Sequence, residues 1–478
     1  MPTRRLPDQP DVEQLRNQAK ALQRRVRESD PQALELLREF HPRHRDVRPE
    51  TVKRADAQLV VARSCGFVSW PALRATLDVI GRFARSPHQQ RPAGAADEFL
   101  VLACLTYGGD DPRRWARARQ MLDERPELAG HSIYTAAAVG DAAAARRILD
   151  ADPGAADRQG GPHKWEPLLY LAYSRIDSTA AGHSTVEVAR LLLERGADPA
   201  AGFLWDGLTS PFTVLAGVFG GGEGGQPAHR DGPALAELLL EAGADANDSQ
   251  TLYNRGLHQD DDSHLPVLLR HGLGRGDGGV WHRRLGPTHP TPAQLLQDEL
   301  IKAAQHGAVE RARLLVRHGA DPRGLGTRHP VFQGLDAFST AVLYGNADVA
   351  ELFGGDGDPV LRFLGACMRG DAAATGDRRT AELAIAAKPH HLVAAAKLGR
   401  TGAVRLMAEL GFEFRGTLAL HEAAYHGHLD TVRALVELGA DPGRTDPSFH
   451  ATARGWAEHN EQWVVADYLA SVERSRTE

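Results

Sequence analysis

The chain has 478 residues, which at roughly 150 residues per domain allows about three domains or one long repeat array, with enough chain for a sizeable core in either case. A hydrophobic fraction of 42 % with 25 % charged residues excludes wholesale disorder, and a net charge of −6 excludes general nucleic-acid binding, which needs a basic surface to displace counterions. Cys65, Cys104 and Cys367 are far apart and form no C-x-x-C pair, so a zinc ribbon and a disulfide framework are excluded as well.

The N-terminal stretch is charged and has no apolar h-region, and no window of about 18 apolar residues follows it. The chain therefore reads as cytoplasmic, with no membrane association. Leu15–Phe40 gives a helical pattern in which Asp30-Pro31 is a helix start, and Ala55–Ile80 gives another around Gly66-Phe67 and Ser69-Trp70-Pro71. Residues 1–90 carry 17 Lys and Arg against 11 Asp and Glu, with Arg24, Arg25 and Arg27 as the dense cluster. Without interleaved aromatics this is a solvated helix face before it is an RNA-binding patch.

A period then takes over. Leu300–Pro322 (LIKAAQHGAVERARLLVRHGADP) and Leu420–Pro442 (LHEAAYHGHLDTVRALVELGADP) are one pattern, with glycines twelve residues apart at Gly307 and Gly319 and at Gly427 and Gly439. Gly399 and Gly411 repeat that spacing. LLLERGADP (Leu191–Pro199) and LLLEAGADA (Leu238–Ala246) end other copies, and Ile133–Asp141, Ser339–Asp348 and Phe363–Asp371 begin degenerate ones. In each unit an Ala-rich helix ends at a glycine able to adopt the left-handed C-cap conformation. A second helix follows, with residues such as Leu314, Leu315 and Val316 at helical spacing. Two such helices cannot bury their apolar faces alone, so the units must stack.

These residues resemble the ankyrin repeat of about 33 residues. Trp165–Ala172, Ser210–Ala216 and Leu420-His421 match its first-helix start, and Leu435 and Leu469 align across the last two units. The resemblance implies an all-α, ankyrin-like repeat solenoid of stacked helix-turn-helix units, about ten or eleven of them between residues 97 and 473. The first segment is similar to the helical cap that precedes the repeats in many bacterial ankyrin proteins. The expected organisation is a helical N-terminal cap region (1–90), divergent repeats with insertions (97–275), a Gly/Pro-rich break (276–293), further repeats (294–473) and a tail (474–478). The insertions fall at 174–183, 220–233 and 272–292. The glycine density of Gly220–Pro233 predicts a mobile loop without a fixed backbone.

Several motifs invite chemistry and lose it on inspection. His421 and His426 flank Glu422 like a zincin motif, but five residues of helix turn the two rings about 140° apart, and His421 occupies the repeat's structural Leu-His position. His258–His264 clusters three carboxylates, Asp260, Asp261 and Asp262, yet lacks the glycine and terminal Glu of a calcium loop. The glycines at 272, 274, 276, 278 and 279 follow no strand, so they make no phosphate loop. Cys65 reads as a small buried hydrophobe. No catalytic, cofactor-binding or metal-ligating residue is expected.

What remains is surface. The positions after the first-helix Ala-Ala line one concave face in a stacked array, and they are Tyr173, Gln305, His306, Tyr344, Lys397, Tyr425 and His426, with Ala138, Val139 and Leu398 beside them. Trp165, Trp205 and Trp281 are candidate anchors or core residues. The reading is a monomeric, non-enzymatic protein-protein interaction module without cofactor, whose protein partner is unknown. The alternatives are an enzyme or small-ligand-binding protein with a site built from the insertion loops, and an RNA-associated regulator using the basic cap.

Overall fold

The computed structural model describes residues 11–43, 48–177, 180, 182–257, 261–327, 332, 334–355, 357–373 and 378–477. It divides into two compact units, Met1–Leu296 and Gln297–Glu478. The fold is helical, as the sequence predicts, with a single small sheet among the described residues.

The first unit opens with four helices, α1 (Val12–Arg27), α2 (Pro31–Phe40), α3 (Arg54–Ser64) and α4 (Trp70–Phe83). Their starts are written locally: Asp11, Asp30 and Ser69 accept hydrogen bonds from the backbone N–H of Glu13, Ala33 and Ala72, and Pro31 supplies a preset first turn. Leu15, Leu22, Leu37, Phe40, Val60, Leu73 and Ile80 form a shared core. Buried Gln23 donates to the Val52 carbonyl at 3.0 Å, and the exposed Arg27 donates to the same oxygen at 2.8 Å.

Strand β1 (Ala84–Arg85) runs parallel to β2 (Gly202–Trp205), which pairs antiparallel with β3 (Pro211–Thr213). Helices then follow in pairs: α5 (Ala95–Ala103) and α6 (Pro112–Glu124), α7 (Ile133–Val139) and α8 (Ala142–Ala151), α9 (Pro167–Tyr173) and α10 (Thr185–Glu194), α11 (Val214–Phe219) and α12 (Gly232–Glu241), α13 (Ser249–Gly256) and α14 (His264–Arg270). First helices pack on first helices, α7 on α9 and α9 on α11, which is stacking as a repeat array requires.

Two irregular segments behave differently from their sequence. Gly220–Pro233 is not a loop without a fixed backbone: the N–H of Gly221 bonds the Gln226 carbonyl (2.8 Å), that of Gly222 the Asn254 carbonyl (3.1 Å) and that of His229 the Val218 carbonyl (2.9 Å). Arg175 explains the fixation. Its buried guanidinium donates to the carbonyls of Ala172, Ser174, Gly217 and Pro227, so one side chain ties the end of α9 to α11 and to the insertion. In the Gly/Pro-rich stretch the chain forms α15 (Gly279–Leu285), which packs on α4. Trp281 is 5 % exposed and joins the N-terminal core, its indole N–H donating to the Ala200 carbonyl at 2.9 Å.

The division between the units falls within α16 (Pro292–His306). The second unit continues with α17 (Val309–Arg317), α18 (Ala337–Leu343) and α19 (Ala347–Phe353), α20 (Pro359–Arg369) and α21 (Arg378–Ala387), α22 (His391–Lys397) and α23 (Thr401–Leu410), α24 (Ala419–Tyr425) and α25 (Leu429–Glu437), α26 (Ala453–His459) and α27 (Trp463–Thr477). In α17 Leu315 is fully buried, whereas Leu314 and Val316, turned about 100° to either side, are half-buried. Burial of one such leucine contributes roughly 1.5–3 kcal/mol. Stacked first helices again carry the core, through Leu343, Leu364, Leu392, Ala396, Leu420 and Ala424.

The turn between the helices of a pair needs a left-handed residue. Gly399 has φ +67°, and a Cβ there would lie 2.6 Å from Nδ1 of His428. Gly399→Ala is therefore expected to destabilise the chain by at least about 1–2 kcal/mol, read as a lowered urea midpoint. Gly402→Ala, where added atoms meet nothing within 4 Å inside a helix, is expected to raise that midpoint.

Candidate partner-binding surface

An α-helix leaves the carbonyls of its last turn without intrahelical partners. In the second unit, polar side chains at the start of a following helix fill that need. Asn346, at the entrance to α19, donates to the carbonyls of Ala304 and Gln305 at the end of α16, at 2.8 and 3.0 Å. Arg400, at the entrance to α23, reaches the carbonyls of Tyr344 and Met368 (2.5 and 3.3 Å) and Oδ1 of Asn346 (2.9 Å). His428 bonds the Lys397 carbonyl (3.0 Å), and Asn460 donates to that of Tyr425 (2.8 Å). Each of the four caps stands immediately after the glycine or histidine that ends the preceding helix turn. Sequence reasoning missed them, although a polar residue recurring after Gly345, Gly399 and Gly427 was the available signal.

These bonds bring the ends of the first helices into one row. His306 and Lys397 are exposed at helix ends. Nδ1 of His306 bonds back to the Lys302 carbonyl at 2.9 Å. Gln305 is half-buried and donates to the hydroxyl of Tyr344 at 3.3 Å. The Lys397 ammonium lies 3.8 Å from Glu422, and His426 approaches the same carboxylate at 3.7 Å. The ring of Tyr425, half-buried, meets His426 edge-on at 5.1 Å and Trp456 at 6.0 Å, while His426 stacks over His428 at 6.0 Å. Burial, followed by the neighbouring charge of Lys397, lowers the His426 imidazole below its ordinary range. The His426 ring therefore stays uncharged at neutral pH beside the Lys397 and Glu422 side chains.

Two of the expected surface residues are core. Tyr173 is fully buried and donates its hydroxyl to the Thr213 carbonyl at 3.0 Å; Gly217 makes the room, since a Cβ there would lie 2.4 Å from the tyrosine ring. Tyr344 is 7 % exposed, its ring edge-on to His391. Ala138 and Val139 are buried in the same way. Trp165 is also buried, stacked between His163 and Phe203, whereas Trp205 is half-buried and stacks on His88. A large exposed side chain lies elsewhere, on a loop tip: Phe449, 78 % exposed. Asp446 fixes that loop by accepting from the N–H groups of Ser448, Phe449 and Ala451 and from the indole of Trp456.

The remaining motifs take structural positions. His421 bonds the Ala451 carbonyl at 3.3 Å and meets Trp456 edge-on. Asp261 pairs with Arg255 and accepts from the Ser263 N–H; His258, Gln259 and Asp260 lie outside the described residues. Among the described residues no group of three or more His, Cys, Asp or Glu side chains is placed to hold a metal ion. Burial pushes the thiols of Cys104 and Cys367 up to about 12 and about 11, which suppresses the reactive thiolate. Cys65 is half-buried at the end of α3.

A family model described as ankyrin repeats (3 copies) matches residues 371–446, the segment that holds Lys397, Glu422, Tyr425 and His426. A comparison with curated proteins finds no match.

His391, 6 % exposed and bonded to the Leu343 carbonyl, supplies a pH test of this packing. Burial depresses its imidazole to about 4, so it stays neutral when folded and takes up a proton on unfolding. Its contribution is present above the unfolded value of about 6.5 and is lost as pH falls toward 4. Relative to His391→Gln, the wild type is expected to lose on the order of 3 kcal/mol between pH 6.5 and 4 in urea titrations.

Proposed function

With ankyrin repeats present at residues 371–446, we propose that the second unit is a protein-binding module that engages its partner through the exposed ends of its first helices and through loop tips. Ankyrin repeats are in general protein–protein interaction modules, and the observation that carries the reading here is the Lys397–Glu422–His426 cluster with Tyr425. Those side chains come from two successive repeats: Lys397 and His426 both approach Glu422, and the backbone carbonyls of Lys397 and Tyr425 are held by interrepeat hydrogen bonds from His428 and Asn460. A preformed surface of this kind limits the entropy lost on association. Phe449, held out by Asp446, supplies an aromatic anchor of the type that dominates interface energetics.

The wider reading is a monomer of the bacterial ankyrin type acting in the cytoplasm, with residues 1–90 as its cap, repeats at 97–275 and 294–473, and 276–293 between them. No described helix is long and apolar enough to cross a membrane. The repeat surface itself needs no cofactor.

The test is affinity capture by the purified full chain, with a Lys397→Ala/Tyr425→Ala/His426→Ala variant in parallel. A discrete protein retained by the wild type and reduced at least about tenfold in the variant is the expected result; tenfold corresponds to about 1.4 kcal/mol. Equal retention by both contradicts the assignment of this surface.

A further inference from the structure

The row of first-helix ends in the second unit differs in charge from the unit that bears it. Residues 297–478 carry 20 Lys and Arg against 24 Asp and Glu. The segments 302–308, 339–346, 365–371, 393–400 and 421–428, which hold the ends of α16, α18, α20, α22 and α24, carry Lys302, Arg369, Lys397 and Arg400 against Asp371 and Glu422. Positive charge is thus gathered along the row of a unit that is negative as a whole.

Packing brings these groups together. Arg400 spans two helix ends, donating to the carbonyls of Tyr344 and Met368. The stem of Arg369 lies against the same turn, since a Cβ on Gly345 would come within 3.1 Å of its Cγ. Arg369 is exposed and meets no carboxylate among the described residues. Burial lowers the Arg400 guanidinium, and the neighbouring charge that lowers it further is that of Arg369. Elsewhere in the row, burial lowers the His306 imidazole, the Lys302 carbonyl opposes, and the charges of Arg311, Lys397 and Lys302 add to the lowering. Glu422 approaches Lys397 only at 3.8 Å, and the Lys397 side chain is 51 % exposed. An exposed pair at that separation binds its ammonium weakly and leaves it open to a second carboxylate.

We propose that the protein partner presents an acidic segment to this row, a stretch of Asp and Glu with apolar residues among them; the inference rests on the reading of the row as the partner-binding surface. Arg369 offers a planar fork that a carboxylate meets with both oxygens, and Lys397 offers a compact point charge. Leu398 and Tyr425, half-buried next to Lys397 and His426, supply apolar contact for the residues between the carboxylates. Charge of this kind steers the encounter and selects the segment that docks more than it adds affinity. The same row disfavours a nucleic acid. Asp371 and Glu422 interrupt it, and a continuous phosphate track would also face the negative charge of the whole unit.

The experiment pans a displayed library of random dodecapeptides on the full chain and on an Arg369→Glu/Lys397→Glu variant whose circular dichroism matches the wild type, with fluorescein-labelled oligouridine titrated in parallel. Peptides enriched on the wild type are expected to be rich in Asp and Glu. The best of them, followed by fluorescence polarisation, is expected to bind the variant at least about tenfold more weakly and to lose about tenfold in affinity between about 50 and about 300 mM salt. Arg369→Gln/Lys397→Gln, which removes the charges without reversing them, is expected to fall between. The proposal is overturned if no peptide is enriched, if the enriched peptides are neutral or basic, if acidic ones bind the charge-reversed variant equally, or if oligouridine binds and acidic peptides do not. The two readings fail separately. Neutral peptides that are lost from the Lys397→Ala/Tyr425→Ala/His426→Ala variant remove the acidic partner and leave the surface standing, whereas peptides held equally by that variant and by the charge-reversed one remove both.

Discussion

Every first helix in the second unit ends in carbonyls that its own hydrogen bonds cannot reach, and the stack depends on where those carbonyls find donors. A donor supplied by the same helix would make each pair self-sufficient. A donor supplied by a later pair makes neighbours interdependent, and Asn346, Arg400, His428 and Asn460 are donors of that kind. A neutral hydrogen bond contributes about 1 kcal/mol and a charged one about 1.5–3 kcal/mol. Their direction matters as much as their strength, because they register one repeat on the next. The short Ala-rich faces then close the gap, with Ala395, Ala396, Ala423 and Ala424 all buried.

The first unit meets the same constraint with less regular means. Insertions interrupt the turn between paired helices, and a single buried guanidinium, Arg175, gathers carbonyls from α9, α11 and the Gly220–Pro233 segment. Its own charge is costly to bury, and burial lowers it to about 10; four carbonyls offset that cost. Aromatic packing does the rest, with Trp165, Tyr173, Phe203 and Phe212 in contact beneath the small sheet. Trp281 extends this core toward the N-terminal helices, so a stretch that breaks the repeat also closes the unit.

Much of this was legible from spacing. Glycines twelve residues apart marked both ends of the second helix, and Asp30-Pro31 and Ser69-Trp70-Pro71 marked helix starts, because capping is local chemistry written within three or four residues. The caps between repeats were not legible in that way, since their partners lie some 30 to 56 residues away. Of the surface residues, His306, Lys397 and His426 are exposed, whereas Tyr173 and Tyr344 are core. Period alone cannot separate these, since a tyrosine at a helix end turns inward wherever a neighbour is small, as Gly217 is beside Tyr173. Glycine content misled for Gly220–Pro233, where the positive φ angles of Gly220, Gly221 and Gly222 serve a hydrogen-bonded turn.

The interdependence of neighbouring repeats is tested most directly by hydrogen exchange on the full chain with Asn346→Ala. The account predicts faster amide exchange in the last turn of α16 as well as at the entrance to α19, because the carbonyls of Ala304 and Gln305 lose their donor across the repeat boundary. Exchange that rises only around residue 346 and leaves the end of α16 at its wild-type rate would contradict it.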